Sequence, residues 1–89
     1  MDTLETLIAF RAEGSALIFR VATGGCTTAD DFRVDVEVVD SRHVAITLHR
    51  HRADTCKAFI PEGVEIRFER EPLGIPAGHA IVIRNPFGT

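Results

Sequence analysis

The residues whose types and spacing invite chemistry are Cys26 and Cys56, the only cysteines, and the alternating pair His49 and His51. Two thiols can close a disulfide. Two thiolates with two imidazoles can hold zinc or copper. A thiolate beside an imidazole can act as a nucleophile. The stretch TGGCTTADDF, Thr23 to Phe32, feeds the last option, because the N–H groups of Gly24 and Gly25 can form an anion-binding nest next to Cys26. Against it, the local surroundings of familiar cysteine nucleophiles are missing. A glycine pair before a strand is also more often a turn or bulge. The run HRHRADTC matches no familiar zinc spacing. Asp30 and Asp31, with Asp54 nearby, offer oxygen ligands for a hard cation, yet they fit no EF-hand loop and read as turn residues and salt-bridge partners. P-loop, dinucleotide, HExxH and GxSxG signatures are absent. The chain reads as non-catalytic, with no cofactor.

What the cysteines do depends on the elements that carry them. Strict alternation of apolar and polar residues marks half-buried strands. In DFRVDVEVVD, Phe32, Val34, Val36 and Val38 share one face, with Arg33, Asp35 and Glu37 on the other. HVAITLHRHR places Val44, Ile46 and Leu48 together, and GVEIRFER does the same with Val64, Ile66 and Phe68. HAIVIRN is an apolar run of strand length. Near the N-terminus, Asp2 and Glu5 have the spacing of a helix cap. A hairpin turning at Glu13-Gly14 is the preferred alternative, with Phe10 opposite Leu17 and Ile8 opposite Phe19. CKAFIPEG adds an edge strand ending at Pro61, and EPLGIPAG is a loop.

The register of the central hairpin follows from parity, because a slip of one residue would turn every side chain to the wrong face. A loop of Asp40, Ser41 and Arg42 sets Val38 opposite Val44, Val36 opposite Ile46 and Val34 opposite Leu48. On the outer face it sets Arg33 beside His49 and Asp31 beside His51. Facing residue numbers then share one sum, and Cys26 and Cys56 have that sum too. Extending the ladder brings the cysteines opposite one another, within the Cα range a bridge needs. The same parity points both cysteines inward and both histidines outward, which counts against a joint metal site. The pair is thus expected as a structural disulfide or as two close, inert thiols; a disulfide is at odds with a reducing cytosol.

Composition narrows the partners. The net charge is −3, and Lys57 is the only lysine. No basic stripe with interleaved aromatics occurs, so nucleic acid is not an expected partner. No run approaches a membrane span. The acidic N-terminus lacks a signal-peptide n-region, which favours the cytoplasm. The expectation is a single all-β domain over residues 1–89, soluble, with six or seven short strands. Its architecture is a small antiparallel β-sandwich, similar to immunoglobulin-type sandwiches in strand count alone, or a partly open barrel. The expected role is protein interaction or self-association as a homo-oligomer. The alternative is a metal- or redox-responsive protein that uses Cys26 and Cys56.

Overall fold

The computed structural model describes residues 2–88. These residues form seven strands: β1 (Thr3–Leu4), β2 (Leu7–Glu13), β3 (Ala16–Val21), β4 (Phe32–Val38), β5 (His43–Arg50), β6 (Val64–Glu69) and β7 (Ala80–Ile83). A 3₁₀ turn covers Ala29–Asp31. The strands make two sheets that do not close into a barrel, β2-β3-β6 and β1-β5-β4, with β7 also on β5. Pairing is antiparallel except between β5 and β7, which run parallel. The fold is an all-β sandwich, as the alternation implies.

The inner faces of the two sheets meet in one apolar core. Leu17, Phe19 and Val21 of β3 face Val44, Ile46 and Leu48 of β5, all six completely buried. Phe10, Phe19 and Phe68 extend this layer, with ring centroids 5.1 and 6.0 Å apart. At about 25 cal/mol per Å² of apolar surface, this burial is the main term holding the sheets together. The outer faces are charged. Glu65 receives Arg11 at 2.6 Å and Arg20 at 2.9 Å across β2, β3 and β6.

The β4–β5 register is the expected one throughout, from Val38 opposite Val44 to Phe32 opposite Arg50. Two other expectations are corrected. The first hairpin turns one residue later, at Gly14-Ser15, so that Phe10 faces Phe19 and Ala12 faces Leu17. Gly14 has φ +59° and occupies the first turn position, as a type II′ turn demands, whereas a turn at Glu13-Gly14 would force Glu13 there. A register shift between Leu7 and Ala9 follows on β2. Second, CKAFIPEG forms no strand; between Arg50 and Val64 the chain is irregular.

The far side of β5 is shared between two short strands. β7 pairs with His43–Ile46 and β1 with His49 and Arg50. The gap between them is filled by a side chain. Buried Asn85 accepts the Leu48 N–H through Oδ1 at 2.8 Å and donates through Nδ2 to the carbonyls of Leu48 and Glu5. Its amide thus serves as a peptide unit of the missing strand, pairing the Leu48 N–H and the Leu48 and Glu5 carbonyls.

Candidate functional site

The cysteines lie where β4 and β5 have stopped pairing. Beyond Phe32 and Arg50 the backbone bonds between the two segments are isolated ones: His51 N–H to the Asp31 carbonyl at 2.8 Å, and Ala58 N–H to the Gly24 carbonyl at 2.9 Å. Cys26 and Cys56 sit between these tie points at disulfide-bonding distance, with Cα atoms 5.7 Å apart. The extrapolated ladder therefore locates the pair correctly. It misplaces their faces. Cys26 is exposed and Cys56 half-buried, because the 3₁₀ turn and the irregular 51–63 segment end the strict alternation that would turn them inward.

Asp54 organises this corner. Its Oδ2 accepts from the Thr27 hydroxyl at 2.6 Å, the Gly24 N–H at 2.8 Å, the Cys26 N–H at 3.1 Å and the Thr23 hydroxyl at 3.1 Å. Its Oδ1 accepts the Cys56 N–H at 2.9 Å. The Thr27 hydroxyl, with the N–H groups of Gly24, Cys56 and Cys26, outweighs desolvation and holds the carboxyl well below the ordinary aspartate range. The anion nest read from TGGC exists, but its anion is internal. Gly24 has no Cβ for a steric reason: one there would overlap the Cys56 carbonyl oxygen.

Beneath Asp54 lies an ion pair. Arg50 has the parity of Leu48 and so projects inward at the end of β5. It meets Glu5 at the bend between β1 and β2, through Nε–Oε1 at 3.1 Å and Nη2–Oε2 at 2.9 Å. Their side chains are only 13% and 11% exposed. Arg50 also donates to the Ala22 carbonyl and the Thr27 hydroxyl, and its guanidinium lies 4.6 Å over the Phe32 ring. The hydrogen bonds to Glu5 raise its pKa further, against the pull of burial. An open cleft of about 330 Å³ is bounded by Glu5, Thr23, Gly24, Arg50 and Asp54. Its charged groups already have partners, Glu5 and Arg50 in each other and Asp54 in the hydroxyl and backbone N–H donors around it.

The histidines are elsewhere. His49 lies on the outer sheet face beside Arg33, with Nε2 3.1 Å from Asp35. Arg33 first, and His49 after it, keep the Asp35 carboxyl below its usual range. His51 is exposed, and its expected partner is taken. The Asp31 side chain is buried in the 3₁₀ turn, where it accepts the Thr28 N–H at 2.9 Å and lies 3.3 Å from Arg52. Among the described residues, the one cluster of potential metal ligands is Cys26, Asp54 and Cys56, without either histidine. Neither histidine named as a candidate base stands by Cys26, and the N–H groups of Gly24, Gly25 and Cys26 are engaged.

Parity alone could have flagged Arg50 as inward-facing. The role of Asp54 left little local signal, since four of its five donors are 27 to 31 residues away and only the Cys56 N–H is near. No helix among the described residues is long and apolar enough to cross a membrane. Comparison with protein-family models, curated proteins and solved structures finds no match.

Proposed function

We propose that this domain is a non-catalytic interaction module that engages a protein partner through its 51–63 segment. One observation carries the reading: Phe59 is 90% exposed on a segment otherwise tied down by Cys56, Asp54 and Ala58. An exposed phenylalanine contributes nothing to this core. A large aromatic held on a restrained loop is the arrangement that makes an efficient binding anchor, since little entropy remains to be lost on docking. Next to it, Ile60 and Pro61 border a cleft of about 270 Å³ with Thr6, Ile8 and Thr23. The partner then has two features to grip, an aromatic knob and an apolar recess.

The experiment compares wild type with Phe59→Ser in sedimentation across the micromolar to millimolar range, and in affinity capture followed by rebinding with the purified captured protein. Stability should change by no more than about 0.5 kcal/mol, as for an exposed site. Association, with a second copy or with a foreign protein, should fall at least tenfold. Wild-type association that Phe59→Ser leaves intact, or no association at all, would overturn the proposal.

A further inference from the structure

The corner holds a second capability that is hidden while the sulfurs are joined. Sγ of Cys26, Sγ of Cys56 and a carboxylate oxygen of Asp54 all lie within 4.8 Å of one another. We propose that on reduction Cys26, Cys56 and Asp54 bind one zinc ion, with solvent in the fourth position. This reading is independent of the interaction surface at Phe59.

The ligand types suit zinc, which takes thiolate sulfur and carboxylate oxygen in tetrahedral geometry. Zinc–sulfur bonds of about 2.3 Å set two thiolates on a tetrahedron about 3.8 Å apart. The sulfurs must therefore part by a little under about 2 Å from a disulfide's spacing. The backbone permits this, because neither cysteine belongs to a strand and the backbone–backbone bonds between their segments form no ladder, the remaining ties being side-chain bonds to Asp54. The Asp54 carboxylate already sits between the two cysteine backbones and accepts an N–H from each. Its Oδ2 takes four donors while Oδ1 takes only the Cys56 N–H, which leaves Oδ1 with an uncommitted lone pair. Those donors fix the carboxylate's orientation, as outer-shell partners do in metal sites. Exposed Cys26 supplies the open side.

The chemistry balances in two steps. Two molecules of a low-molecular-weight thiol supply two electrons and two protons, the Cys26–Cys56 bond breaks to two thiols, and one small-molecule disulfide forms. Zinc then displaces both thiol protons and binds the two thiolates and the Asp54 carboxylate. The small-molecule disulfide reverses the sequence: it takes two electrons from the thiolates and, with two protons from solvent, becomes two thiols, while the Cys26–Cys56 bond re-forms and the zinc ion leaves.

The test is a zinc and cobalt(II) titration of reduced and oxidised protein in chelator-buffered solution, with proton release followed at constant pH. Reduced wild type should bind one metal per chain, release two protons and give thiolate-to-cobalt charge-transfer bands. Oxidised protein should give none. Asp54→Asn, reduced and still folded, should bind zinc at least about tenfold more weakly. Absence of the cobalt bands, two chains per metal, or equal affinity in Asp54→Asn would each overturn the assignment. Should reduced Asp54→Asn be unfolded, zinc must refold reduced wild type and fail to refold the variant; equal rescue of both would remove Asp54 from the ligand set.

Discussion

The β4–β5 hairpin and the corner beyond it are the same two chain segments held in different ways. Within the hairpin, each residue from Phe32 to Val38 meets its partner in a continuous ladder, and Val44, Ile46 and Leu48 are fully buried. Past Arg50 there is no ladder and little apolar burial. A sulfur pair, one carboxylate and one buried ion pair replace them. In the hairpin stability is spread over many similar contacts. In the corner it rests on a few dissimilar ones, each placed by a single side chain.

The contrast predicts where single changes hurt. Arg50→Ala should have the largest effect, about 3–5 kcal/mol in urea unfolding, because it strands the Glu5 carboxylate in a buried position. A loss below about 1 kcal/mol would mean that water reaches Glu5 and that the corner is softer than its geometry implies. Opening the disulfide, by reductant or by Cys26→Ala with Cys56→Ala, should remove about 3–4 kcal/mol, given the separation of 30 residues between the cysteines. Hydrogen exchange under those conditions should speed up in residues 24–31 and 51–63 while β4 and β5 stay protected. Uniform acceleration would erase the distinction between the two regions.

The smallest effect concerns acid. A carboxyl whose folded pKa is depressed stabilises the fold above its unfolded pKa, and that contribution is lost as pH falls toward the folded value. For Asp54 the loss begins near pH 4 and continues downward. Glu65, Glu69, Asp35 and Asp40 act in the same direction. Asp54→Asn should therefore make stability less steep between pH 4 and pH 2 than in wild type, while the other carboxylates keep the remaining slope. Parallel curves would show that Asp54 binds its donors no better when folded.

The same contrast sets what could be read from residue order. Alternation in β4, β5 and β6 reports burial directly, and parity then fixes how β4 meets β5. The shared sum extends that reading to Cys26 and Cys56 because both segments leave the ladder together and rejoin at Gly24 and Ala58. The first hairpin misleads by one residue because two adjacent turn positions are compatible with a glycine at position 14, and only backbone handedness separates them. CKAFIPEG resembles a strand by composition, but the Ala58 N–H bond to the Gly24 carbonyl is not continued into a ladder. Arg50, Glu5 and Asn85 are polar residues turned into the interior. Their partners are distant in sequence, so no window of neighbouring residues reveals them.

Asn85 has a consequence for how the chain acquires its shape. Its bond to the Glu5 carbonyl joins positions 80 residues apart, and Leu7 is bonded from the same end by Pro86 and Gly88. During synthesis the β2–β3 and β4–β5 hairpins can form from chain that has already emerged. The side of β5 that receives β1 and β7 stays unfinished until residues 80–88 arrive. A ribosome-bound chain stopped short of Asn85 carries an open sheet edge there, the kind of surface on which newly made β proteins stick to each other. The nascent domain is most exposed to misassembly in the interval between the emergence of β5 and that of Asn85.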